Sequence, residues 1–223
     1  MLILAADTSD KHGSVALCRG DAASFEVLGQ TSLEGGTYSA RLVPSIAELL
    51  LQTGFSKAQI EGFVVVDGPG SFTGLRVGLA TVKALCEVLK KPLATVSMLE
   101  ALAIASGSDG EQVTVVLDAG RGEAYLGEYR TAHQRAEMLR QAIVKLNEYV
   151  AQLPSPRSRL MTTSEKIVQA LGHGAGLVEP LHADAIAHIG LRKLLAGETT
   201  NPAMLDANYI RRSDAELFSL PKH

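Results

Sequence analysis

The stretch Val64-Val65-Val66-Asp67-Gly68-Pro69-Gly70-Ser71-Phe72-Thr73-Gly74-Leu75-Arg76-Val77-Gly78 restricts the fold more than any other part of the chain. Three valines suit a buried strand, Gly68-Pro69-Gly70 breaks it, and a helical pattern begins at about Ser71 or Thr73. A strand, a glycine-rich turn and a helix start bring free backbone N–H groups to one point, where an anion can sit. The common nucleotide fingerprints do not fit. Gly68 and Gly70 take the first and third places of a dinucleotide motif, but the sixth is Thr73 and Gly74 comes one residue late. No lysine stands where a phosphate-loop nucleotidase needs one. Two readings remain: an anion-ready turn that includes Gly68, Gly70 and Ser71, or a tight reversal whose glycines allow close packing.

Around this centre the hydrophobic spacing predicts strands at 2–6 and 14–18, joined by the turn Asp7-Thr8-Ser9-Asp10-Lys11-His12-Gly13 into a hairpin. A weaker third strand falls within 24–32. A helix over 39–52 carries Leu42, Val43, Ile46, Leu49 and Leu50 at three- and four-residue spacing, and Pro44 makes it either start near Val43 or kink. A second helix, 73–90, has Leu75, Leu79, Val82, Cys86 and Leu89 as its stripe. Gly74 and Gly78 lie four apart beside that stripe, each costing roughly 1 kcal/mol against alanine in a helix. They predict close approach of another helix, unless Gly74 simply belongs to the turn. A strand at 93–96 follows, then a helix at 98–106 with Ser97 and Glu100 spaced as a capping box.

The polar break Gly107-Ser108-Asp109-Gly110-Glu111 marks a boundary between lobes 1–106 and 107–223. After it the opening repeats: a strand at 113–117, a turn at Asp118-Ala119-Gly120-Arg121-Gly122, and an alternating strand at 123–129. Asp118 falls where Asp7 does, which argues for two related lobes rather than one doubly wound sheet. Further on, 142–146 reads as a strand, Asn147 as the cap of a helix to Leu153, Pro154-Ser155-Pro156 as a loop and 160–162 as a short strand. Ser164 caps a helix to Leu171, a last helix spans 184–195, and Pro202 opens an extended tail. The tail packs back on the first lobe in this reading.

The residues hold no complete catalytic kit. His182 and His188 are six apart, no His-x-x-x-His pair exists, and His173 sits among glycines in a loop, so no zinc or iron centre is expected. Ser71 lacks the Gly-x-Ser-x-Gly spacing and an assignable base. Asp7 and Asp118 either hold a magnesium–phosphate or accept backbone N–H bonds in their own turns. Arg76, one turn into an apolar helix, meets a carboxylate of the fold, a partner or a phosphate. A net charge of −3 and the absence of tryptophan leave no surface for nucleic acid on its own. Cys18 and Cys86 read as buried thiols of a reducing compartment, and with no signal peptide or membrane span the chain is expected in the cytoplasm. Val77, Ala80, Ala84 and Leu85 widen the apolar part of the second helix beyond one core contact, which predicts a protein partner.

Leu-Ala-Ala-Asp-Thr-Ser at the start resembles the TsaB (YeaZ) family, as do Gly-Pro-Gly-Ser-Phe-Thr-Gly-Leu-Arg-Val-Gly-Leu-Ala-Thr and Val-Ser-Met-Leu-Glu-Ala-Leu-Ala. Asp118-Ala-Gly-Arg-Gly-Glu-Ala-Tyr125 and Asn208-Tyr209-Ile210-Arg211 extend the resemblance along the whole chain. It implies an α/β fold of the actin/Hsp70/sugar-kinase type with two duplicated lobes, the second reduced. It also implies a non-catalytic subunit that binds and activates TsaD in transferring threonylcarbamoyl to the adenosine beside the tRNA anticodon. TsaE would join the pair, tRNA would be met only through the complex, and a homodimer would form when the chain is alone. ATP or ADP and a metal would belong to the partners, with no cofactor for this chain. The helix pair implied as the interface brings Leu42, Val43, Ile46, Leu49 and Leu50 together with Gly74, Leu75, Val77, Gly78, Leu79, Thr81, Val82 and Leu85. Asp7, Thr8, Ser9, Gly68, Gly70, Ser71, Arg76 and Asp118 are the candidates for a phosphate-proximal site. The family usually has His-Ser where this chain has Tyr38-Ser39, so no role of that histidine carries over. An ATP-dependent phosphotransferase or a peptidase of the same superfamily is the alternative.

Overall fold

Two antiparallel hairpins, each extended by parallel strands, organise the computed structural model, which describes residues 1–153, 159–172 and 174–205. The loop Pro154-Ser155-Pro156, His173 and the motif Asn208-Tyr209-Ile210-Arg211 lie outside the described residues. The described residues divide into one unit of Met1–Ala101 with residues 181–205 and another of Leu102–Pro180.

In the first unit β1 (Leu2–Asp7), β2 (His12–Gly20) and β3 (Phe25–Glu34) form an antiparallel meander. After α1 (Tyr38–Thr53), β4 (Gly62–Gly68) pairs parallel with β1; after α2 (Phe72–Leu89), β5 (Leu93–Ser97) pairs parallel with β4. The sheet order is β3-β2-β1-β4-β5, and α3 (Met98–Ser106) follows. The second unit runs through β6 (Gln112–Gly120), β7 (Glu123–Ala132), β8 (Arg135–Lys145), α4 (Leu146–Ala151), β9 (Arg159–Thr162), α5 (Glu165–Leu171) and β10 (Ala175–Leu177), before α6 (Ala183–Leu195). Read from β8, its order is β8-β7-β6-β9-β10, with the same pattern of antiparallel and parallel pairs. The succession βββαβαβα therefore occurs twice, which is the duplicated arrangement of the actin/Hsp70/sugar-kinase fold.

Burial explains why the first unit's strands lack alternation. Helices α1 and α2 pack on one side of the first sheet and α6 on the other, so β1 and most of β4 are covered on both faces and read as unbroken apolar runs. Helix α6 is seated by a buried hydrogen bond from Ala183 N–H to Ser14 Oγ, 2.8 Å, and by Gly190, which lies directly on Val64. Lys193 Nζ reaches Glu100 at 2.7 Å and the Thr95 carbonyl at 3.1 Å beside this seat. In the second unit Val116, Ala124 and Leu126 meet Ile167 and Leu171 of α5.

Several local expectations need correction. Helix α1 starts at Tyr38 rather than near Val43, with Pro44 inside it on the exposed side. The Ser97–Glu100 capping box does not form, because Glu100 turns to Lys193 and Ser97 Oγ has no hydrogen bond. Strand β8 begins at Arg135 rather than 142, since pairing with β7 orders a polar segment that has little apolar signal. Asn147 sits inside α4, whose N-cap position is Lys145. Strand β6 continues past Asp118 to Gly120 through a bulge, β10 was not anticipated, and Pro202–Met204 is a short 3-10 turn rather than extended chain.

A Cβ at position 190 would press into Val64, so Gly190→Ala is expected to cost about 1–3 kcal/mol as overpacking. Urea unfolding measures this; an unchanged midpoint would mean that α6 is not seated on β4.

Candidate functional site

The hairpin turn after β1 and the Gly68-Pro69-Gly70 turn after β4 meet and lock. Asp7, Thr8 and Ser9 are all buried there. Thr8 Oγ1 donates to the Gly74 carbonyl at 2.8 Å, and the Ser71 N–H donates to the Ser9 carbonyl at 2.5 Å. Ser71 caps α2 by accepting the Gly74 N–H at 3.3 Å. Gly70 lies on the Ser9 backbone, Gly74 on the Thr8 carbonyl and Gly78 on the Thr8 hydroxyl, each too close for a Cβ. Gly74 and Gly78 thus admit chiefly the hairpin turn, with the Tyr38 ring of α1 beside Gly74, which corrects the expectation of close helix-to-helix approach at both. The N–H groups of Ser71 and Gly74 are satisfied within the chain.

Both aspartates accept the N–H two residues on. Asp7 Oδ1 takes Ser9 N–H at 2.8 Å and Asp118 Oδ1 takes Gly120 N–H at 2.8 Å. Their electrostatics differ. Burial pushes the Asp7 carboxyl above its ordinary value, against the Ser9 hydrogen bonds, with Asp10 pushing further and His182 opposing. For Asp118 partial burial is outweighed by the Gly120 N–H and by Lys166, 3.1 Å away, and the carboxyl is held below its ordinary value. Arg76 lies over the Phe72 ring at 3.6 Å, with both side chains exposed at the start of α2. Among the described residues no cluster of three or more histidine, cysteine or acidic side chains is placed to hold a metal. Cys18 and Cys86 are buried free thiols, each pushed up to about 12, chiefly by burial.

The residues expected at a partner interface separate into two sets. Leu42, Ile46, Leu49, Leu50, Gly74, Leu75, Gly78, Leu79 and Val82 are buried within their own unit, since their side of α1 and α2 covers the first sheet. Val43 is 58% exposed, and Val77, Thr81 and Leu85 are half-buried. The outward faces run beside these: Val43, Ala47 and Leu51 on α1, and Val77, Ala80, Ala84 and Val88 on α2. Leu51 is 83% and Val88 77% exposed, large values for branched aliphatics. Ala47, Leu51 and Val88 were missed by the sequence reading; their signal is a second stripe at three- and four-residue spacing, offset from the buried one. Because α1 and α2 touch, the two exposed stripes lie on neighbouring helices.

The duplicated topology defines a protein of the actin/Hsp70/sugar-kinase class. A family model described as TsaD, tRNA N6-adenosine threonylcarbamoyltransferase, matches residues 35–189, more than two-thirds of the chain. The chain belongs to this family, and within it to the TsaB (YeaZ) group. It is 29% identical over 92% of its length to the tRNA threonylcarbamoyladenosine biosynthesis protein TsaB of Bacillus subtilis, covering 85% of that protein. It is 34% identical to the protein of the same name from Haemophilus influenzae, but over 57% of this chain and about half, 53%, of that one. The solved structure of YeaZ from Pseudomonas aeruginosa superposes with a TM-score of 0.73 at 24% identity, over 91% of this chain and 96% of that one, a likeness of fold.

The raised Asp7 value has a definite sign. The fold favours the protonated carboxyl, so the stability that Asp7 contributes is complete below the unfolded range near 3.8 and is lost as pH rises through the folded value. Asp7→Asn keeps an oxygen for Ser9 N–H and is expected to raise Tm at pH 7–8, with the gain vanishing toward pH 4. A Tm lowered at every pH would show instead that the fold requires the charge.

Proposed function

We propose that this chain works in tRNA threonylcarbamoyladenosine biosynthesis as a non-catalytic subunit that binds and activates TsaD. The observation that carries this reading is the pair of exposed apolar stripes on α1 and α2, a surface suited to packing against helices of a partner. Ala47, Ala80 and Ala84 keep the pair's outer surface low, so another backbone can approach closely. In the locked turn two donors that could face a phosphate, the Thr8 hydroxyl and the Ser71 N–H, are engaged by carbonyls of the chain, which supports a binding role. TsaD supplies the chemistry, the nucleotide and the metal, TsaE joins through TsaD, and tRNA is met through the complex. Without TsaD the same face pairs two copies of this chain. The site of action is the cytoplasm; among the described residues no helix is long and apolar enough to cross a membrane.

The test is threonylcarbamoylation of tRNA by TsaD from the same source, by this chain and by the mixture, with binding measured by calorimetry. Activity is expected in the mixture and absent from this chain alone. Ala84→Glu and Val43→Glu place charge on exposed positions and are expected to weaken binding at least about tenfold, roughly 1.4 kcal/mol, with Tm almost unchanged. Full activity of the mixture with either variant would remove this face from the interface. ATP turnover or peptide cleavage by this chain alone would return the enzyme reading.

A further inference from the structure

Tyr38 opens α1, yet its side chain is only 5% exposed and lies in the hairpin turn between β1 and β2. Its hydroxyl donates to the Asp10 carbonyl, and Gly13 lies against its ring and hydroxyl. A Cβ at Gly13 would lie 2.7 Å from the Tyr38 ring and hydroxyl, and one at Gly74 would lie 3.3 Å from the ring's other edge. One side chain of α1 therefore touches the hairpin turn and the first turn of α2 together. The start of α1 has no side-chain cap to hold it, since the Thr37 hydroxyl donates back to the Glu34 carbonyl at 2.6 Å. The phenol is pushed up to about 12 by burial, with Asp7 and Asp10 adding to it, and so remains a donor at physiological pH.

We propose that the Tyr38 hydroxyl is a positioning group for the exposed α1–α2 face, holding the first turn of α1 against the hairpin turn and α2. It thereby sets the spacing of Val43 and Ala47 against Val77 and Ala80 before any partner arrives. The inference rests on the partner-binding role given above to that face. A face fixed in advance loses less conformational freedom on docking, so releasing the anchor weakens binding more than it weakens the fold.

Tyr38→Phe keeps the ring and removes one oxygen, and Val64→Ala, under α6, supplies a destabilised control with the helix pair untouched. Full-length proteins are compared for Kd with TsaD, Tm and amide exchange at residues 40–43. Tyr38→Phe is expected to bind about tenfold more weakly and to exchange faster at those amides, while Val64→Ala binds like the parent. A Kd for Tyr38→Phe within twofold of the parent, or an equal loss of affinity in Val64→Ala, overturns the inference. If the parent itself fails to bind TsaD, the partner reading falls and this inference falls with it, a result distinct from tight parental binding that Tyr38→Phe leaves intact.

Discussion

The contact of Thr8 with Gly74 and Gly78 is the constraint on which the first unit depends. A threonine in a hairpin turn reaches the backbone of a helix that starts about 65 residues later, and does so only because two helical positions lack a Cβ. Each glycine weakens the helix taken alone. Together they let the turn close on α2 and bury Asp7, Thr8 and Ser9, with the Ser71 N–H taken by the Ser9 carbonyl.

That closure fixes which side of α1 and α2 is left over. With their large leucines and Ile46 turned to the sheet, the helices present valines, alanines and Leu51 outward. Their inner and outer stripes have the same period, so apolar spacing identified the helices correctly and could not say which stripe was core. Nine of the thirteen residues assigned to the interface are buried within the first unit. Their substitution would disturb the fold before it disturbed any partner. Tyr38 belongs with them, although its number places it on the helix rather than in the turn that it closes.

The two aspartates show how far a repeat carries. Asp7 and Asp118 occupy equivalent ends of equivalent strands and make the same bond to the N–H two residues on. Their surroundings reverse the outcome: one is buried and favours its proton, the other is paired with Lys166 and favours its charge. Equivalent sequence position conserved the turn and not the electrostatics.

The sequence by itself determined the elements with strong apolar periodicity, the repeat of a hairpin at the head of each half, and the family. The three- and four-residue spacing of α1, α2 and α6 follows from helix geometry that any chain must obey, while a continuous run such as Phe63-Val64-Val65-Val66 marks a strand covered on both faces. Tertiary structure alone decided what Gly74 and Gly78 admit, where β8 begins, where Glu100 turns and which helix stripe faces solvent. Each of these depends on a partner distant in the chain. A polar strand such as β8 is ordered by its neighbour's hydrogen bonds, and a missing Cβ is defined by whatever fills its place.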